Sequence, residues 1–109
     1  MIKPMELYLA MIDKNRPALV MQITDTRAII FKITTKYGNK SDWIKENYYK
    51  IINWKQAGLY AQSYVDTLQN YSIPLEYLKK NKPIGKLTNI DIRGLEVFLR
   101  EKKKKQNET

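Results

Sequence analysis

Along the first third of the chain, apolar residues fall in short runs separated by polar breaks, the pattern of strands joined by tight turns. Glu6-Leu7-Tyr8-Leu9-Ala10-Met11-Ile12 reads as one strand and Ala18 to Ile23 as a second, with Asp13-Lys14-Asn15 as the break that makes them a hairpin. Beyond Thr24-Asp25-Thr26, the run Ala28-Ile29-Ile30-Phe31-Lys32-Ile33-Thr34 is rich in β-branched residues and predicts a third strand. Lys36 to Asn47 is polar, carries Gly38, Asn39 and Ser41, and has Trp43 and Ile44 as its large apolar groups. It predicts a long loop with room for a short helical turn, and such loops beside a sheet often bind ligands.

Tyr48 to Ile52 alternates weakly as a fourth strand, Ala57-Gly58 marks a turn, and Ser63 to Leu68 makes a fifth strand. Five short strands with these connections predict a small curved barrel. Pro74 suits the first turn of a short helix over Leu75 to Lys80, and Pro83-Ile84-Gly85-Lys86-Leu87 is an extended connector. Thr88 can cap a last helix with Asp91 three residues on, and Ile92, Leu95, Phe98 and Leu99 recur at helical spacing as far as Arg100. The lysine run Lys102 to Lys105 is expected to fray. The expectation is a mainly β (α+β) fold in one domain, residues 1–101, followed by a basic polar tail, 102–109.

Composition narrows the chemistry. A chain of 109 residues can close one hydrophobic core but not two. Hydrophobic residues make up 43% and charged residues 28%, which describes a folded globular protein. No apolar run approaches the roughly 20 residues that span a bilayer, and Met1-Ile2-Lys3-Pro4 has no signal-peptide stretch, so a cytoplasmic location with no membrane partner is expected. Cysteine and histidine are both absent. That removes disulfides, Cys/His zinc sites, Ser/His/Asp triads and any imidazole acid/base pair. The acidic residues are scattered and no glycine-rich phosphate loop is present, so neither a metal nor a nucleotide cofactor is expected.

The net charge is +9, of which the segment from Glu101 to Thr109, with four Lys and two Glu, supplies only +2. The folded body therefore carries the excess. A basic body favours a polyanionic partner, nucleic acid before anionic membrane, because neutralising phosphates releases counterions; basicity that serves only solubility is the bland alternative.

Four segments, taken in order, resemble the MazF/PemK family of toxin endoribonucleases. They are Arg16-Pro17-Ala18-Leu19-Val20, Ile33-Thr34-Thr35-Lys36, Ser63-Tyr64-Val65-Asp66-Thr67-Leu68-Gln69, and Ile84-Gly85-Lys86-Leu87-Thr88 ahead of the last helix. The resemblance spans about Glu6 to Leu99. It implies an SH3-like small β-barrel of the MazF/PemK/CcdB kind with a C-terminal helix and one or two short helices. It also implies a homodimer, metal-independent cleavage of single-stranded RNA, and inhibition by a cognate antitoxin protein. This chain departs from the family pattern in three ways: Met5 precedes the acidic Glu6, the first connection is only Asp13-Lys14-Asn15, and Asp66 and Leu68 stand where some relatives place assisting residues.

On this resemblance Arg16 and Thr34 are the candidate catalytic residues. Cleaving RNA without a metal uses the ribose 2′-hydroxyl as nucleophile, so a site must stabilise a crowded phosphorane and assist the departing 5′-oxygen. A guanidinium stays charged and binds two phosphate oxygens at once, which fits Arg16 to electrostatic stabilisation. Taken alone, Arg16 reads as a solvent-facing strand-edge charge and Thr34 as ordinary strand-end threonine. Lys14, Thr35, Lys36, Lys40, Gln69 and Tyr71 are the candidate RNA-binding residues, as phosphate contacts or base partners. Two other classes stay open: an inactive barrel that binds nucleic acid as a regulator, and a toxin of the same fold that binds a protein target.

Overall fold

The computed structural model of the chain describes residues Met1–Asn107. Six strands and three helices follow in order: β1 (Glu6–Met11), β2 (Asn15–Ile23), β3 (Arg27–Thr34), α1 (Asp42–Lys45), β4 (Tyr48–Lys50), β5 (Tyr64–Pro74), α2 (Leu75–Lys79), β6 (Gly85–Lys86) and α3 (Asn89–Asn107). All strands join one antiparallel sheet in the order β4-β5-β3-β2-β1-β6.

Period-two alternation along β1, β2 and β3 sorts their side chains onto two faces. Leu7, Leu19 and Ile33, with Val65, pack beneath α3, which contributes Leu95 and, at the margin, Ile92, Phe98 and Leu99. Tyr8, Ala10, Ala18, Val20, Ala28 and Ile30 face the other way and are covered by Leu78 of α2. The strands of the central sheet are therefore apolar on both faces. None of the described helices is long and apolar enough to cross a membrane.

The expected barrel does not close. β4 and β6 are the two edges of an open sheet. With three and two residues they are too short to reach one another as a ladder. The space between them is filled by the irregular segment after β4, whose Ile51, Ala57 and Leu59 join the core beneath α3. Backbone there approaches β6 so closely that a Cβ on Gly85 would lie 2.0 Å from the Ala57 carbonyl oxygen, and one on Gly58 2.4 Å from that of Ile84. Gly58 also has φ +96°, open chiefly to glycine.

Several other expectations change. β5 runs on to Pro74 rather than stopping at Leu68, because a register shift between Phe31 and Lys32 on β3 takes up extra β5 residues and pairing then resumes as Phe31↔Asn70. The extended connector before the last helix is the strand β6, paired to β1 through Glu6↔Lys86 and Leu7↔Gly85. The Lys36–Asn47 loop, by contrast, holds the short helical turn expected of it, α1, capped by Ser41 Oγ accepting from the Ile44 N–H at 3.3 Å. Asp91 does not serve as Thr88's capping partner; it is fully buried and accepts from the Tyr49 hydroxyl and the Ile52 and Asn53 N–H groups. Finally, α3 does not end at Arg100. Lys102 turns inward and donates to the Thr67 carbonyl at 2.6 Å, so a side chain expected in the tail anchors the helix; residues 108–109 of that tail lie outside the described residues.

Candidate nucleic-acid interface

Arg16 on β2 and Thr34 on β3 lie at the same end of the sheet, each just beyond the last β2–β3 pair, Ala18↔Lys32. β2–β3 pairing starts only at Ala18, so Pro17 sits where the strand has a ladder on one side, a position a residue without an N–H can occupy. A cleft of about 380 Å³ opens at this end of the sheet, lined by Lys14, Arg16, Thr34, Thr35 and Lys36 together with Leu59, Tyr60 and Ser63. Five of the eight residues singled out in the sequence thus share one cleft.

The other three do not line it. Lys40 belongs to an adjoining depression over residues 36–40 that shares Lys36 with the cleft. Gln69 is exposed in the irregular stretch of β5, and Tyr71 is half-buried opposite Ile30, packed against the core under α2. Tyr71 nevertheless lies close enough to Arg16 to influence its charge.

Arg16 is mostly covered, with 17% of its side chain exposed, and its planar fork is engaged by Asp13. Nε donates to Asp13 Oδ1 at 2.6 Å and Nη2 to Oδ2 at 3.0 Å. Each partner fixes the other's charge: the hydrogen-bonded pair raises the Arg16 pKa further and holds the Asp13 carboxyl far below the usual carboxylate range. Thr34 is buried apart from its face toward the cleft, and its Oγ1 accepts from the Lys36 N–H at 3.1 Å. That bond orients the hydroxyl and leaves its O–H free to donate.

Below Arg16 on the same sheet face lies a polar cluster that sequence reasoning missed. Lys32 Nζ stands 3.6 Å from Asp66 Oδ2, and Tyr48 packs beside Asp66 with its pKa raised, first by burial and then by that carboxyl group. Tyr64 stacks on Tyr37 at 4.3 Å between ring centroids and 7° between planes, while Lys45 sits 5.0 Å from the Tyr37 centroid. The Tyr37 ring is therefore already occupied. Tyr60 is different: its ring is 84% exposed and lines the cleft beside Arg16, which suits it to stack on an unpaired base. No sequence signal marks Tyr60, since it lies in an irregular segment and reaches the cleft only through the turn at Gly58.

Among the described residues, no three Asp or Glu side chains gather in a way that holds a metal ion. What the fold and cleft define is an open antiparallel sheet carrying, at one end, a cationic cleft with an oriented hydroxyl and an exposed aromatic ring. No family model and no curated protein matches the chain.

Proposed function

We propose that this protein binds single-stranded RNA in the Arg16 cleft and cleaves it without a metal, as a toxin endoribonuclease of the MazF/PemK type. The observation that carries the reading is that Arg16 and Thr34 line one cleft with Lys14, Thr35 and Lys36. In this scheme Arg16 binds two non-bridging oxygens of the scissile phosphate, and the Thr34 hydroxyl donates to the same group. The 2′-oxygen attacks phosphorus and loses its proton to water. The P–O5′ bond breaks, the 5′-oxygen takes up a proton from water, and a 2′,3′-cyclic phosphate and a 5′-hydroxyl result. Lys14 and Lys36 hold flanking phosphates, and Tyr60 stacks on a neighbouring base.

The rest of the assignment follows the resemblance and belongs to the same proposal: a homodimer in the cytoplasm, an open variant of the SH3-like sheet, and silencing by an antitoxin. The body's positive charge supports an acidic inhibitory segment as partner. A second reading has its own support, because Asp13 already occupies the Arg16 fork: the cleft binds RNA without cutting it.

Incubating the protein with a long single-stranded RNA in EDTA separates the two. Fragments ending in 2′,3′-cyclic phosphate are expected, with Arg16→Ala lowering the rate by two to three orders of magnitude, on the order of 3 to 4 kcal/mol. Tight binding with the RNA left intact refutes the enzyme and leaves the binding module.

A further inference from the structure

Asp13 is the only carboxyl group paired with Arg16 among the described residues, and its geometry is that of a ligand. Two carboxylate oxygens on the Nε and Nη2 edge reproduce the two-pronged contact that a guanidinium makes with the non-bridging oxygens of a phosphate. The carboxyl group belongs to the tight connection between β1 and β2, where the Ile12 N–H donates to the Lys14 carbonyl at 3.2 Å, and its side chain is 62% exposed. An ion pair with one partner so open to water is screened and weak, so another anion can displace it at little cost. Lys14, the next residue, lines the cleft that such an anion would enter.

We infer that Asp13 is a built-in phosphate mimic, an autoinhibitory latch that holds the Arg16 fork until a nucleic-acid phosphodiester displaces it. The inference rests on the reading of the Arg16 cleft as an RNA site. Its consequence is selectivity by multivalency: a single phosphate must compete with a tethered carboxylate, whereas a strand that also engages Lys14 and Lys36 has the extra contacts to win. Acid does not open the latch near neutral pH, because a carboxylate beside a guanidinium is ionised there. Displacement by an anion is what opens it.

The test measures fluorescence anisotropy of a short labelled 2′-O-methyl oligoribonucleotide, which binds but cannot be cut. Wild type is compared with Asp13→Asn, Arg16→Ala, the double variant, and Asp25→Asn. The last removes the same charge from the exposed turn between β2 and β3, at the far end of β2 from Asp13. Asp13→Asn is expected to tighten binding about two- to fivefold beyond Asp25→Asn, the range that breaking an exposed ion pair allows. In the Arg16→Ala background that advantage is expected to vanish. If Asp13→Asn gains no more than Asp25→Asn, or keeps its gain without Arg16, the latch is overturned while the cleft reading stands. If Arg16→Ala leaves binding unchanged, the cleft reading falls and the latch with it. A second measurement needs no variant: on titrating wild type with the oligonucleotide, the Arg16 Nε–H resonance is expected to shift as Asp13 is exchanged for phosphate, and an unmoved resonance at saturation overturns the latch.

Discussion

Replacing Asp91 by asparagine tests how the open side of the sheet is held. Asp91 is fully buried on α3, and its Oδ1 accepts from the Tyr49 hydroxyl at 2.7 Å and the Ile52 N–H at 2.8 Å, while Oδ2 accepts from the Asn53 N–H at 2.8 Å. Asparagine keeps the shape but turns one oxygen into a donor. With its amide nitrogen in the Oδ2 place it confronts the Asn53 N–H; flipped, it confronts the Ile52 N–H while Tyr49 can rotate to accept. Either way one buried donor is left unpaired, at about 2 kcal/mol. Asp91→Ala orphans all three donors and costs about 3 to 5 kcal/mol, whereas Tyr49→Phe removes one donor and costs about 1 to 2 kcal/mol. The assay is urea unfolding with an unchanged m-value, or a melting temperature that falls by about 4 °C per kcal/mol. Tyr49→Phe and Asp91→Ala should also be coupled by about 1 kcal/mol in a double-mutant cycle. An Asp91→Asn protein within about 0.5 kcal/mol of wild type refutes the reasoning, because uncoupled surface changes stay in that range. So does a Tyr49→Phe cost equal to that of Asp91→Ala.

How much of this was legible in the sequence depends on whether a feature is local. β1, β2 and β3 were readable because alternation is a property of neighbours: Leu7 and Tyr8, or Leu19 and Val20, go to opposite faces in any sheet that buries both. The mutual placement of Arg16 and Thr34 was reached through motif likeness, and could not be computed from spacing. A register shift lies between Val20 and Gln22, and no local pattern says how many residues it takes up. The open edge was illegible because β6 is two residues long and its partner, β1, lies some eighty residues earlier. Lys102 misled for the same reason: four lysines in a row read as a solvated end, and only the fold supplies the Thr67 carbonyl that receives one of them. Asp91's local spacing to Thr88 fits the companion of a helix cap, whereas its partners are Tyr49 of β4 and the Ile52 and Asn53 N–H groups just after it.

Two further outcomes follow from the geometry. Gly85→Ala would drive a Cβ into the Ala57 carbonyl oxygen, a backbone atom that cannot rotate away, so it is expected to destabilise by about 3 kcal/mol or more, above the usual range for overpacking; a melting temperature within a few degrees of wild type would contradict the close approach of β6. The pH dependence of the proposed cleavage is the sharper of the two. Enzymes that use a pair of histidines give a bell-shaped profile centred near neutrality, but this chain has no histidine, and the resolved shifts around the cleft move groups away from neutral pH. The Asp13 carboxyl is lowered, the Arg16 guanidinium raised, and the Tyr48 hydroxyl raised by burial and by Asp66. None of these three groups is then set to titrate between about pH 5.5 and 9, so log kcat/KM should be flat there if proton transfer is not rate-limiting, or rise steadily if hydroxide removes the 2′-proton. The upper limit is set by stability. Burial first, and then the hydrogen bond to Asp91, raise the Tyr49 pKa above its ordinary value of 10.0, so the stability it contributes is fully present below pH 10 and is lost as pH rises through the folded value. Rates are therefore to be read below pH 9, with folding followed in parallel by circular dichroism. A bell with both limbs inside that window, in protein that remains folded, would mean that a titrating pair runs the chemistry and that the fixed-cation account of Arg16 is wrong.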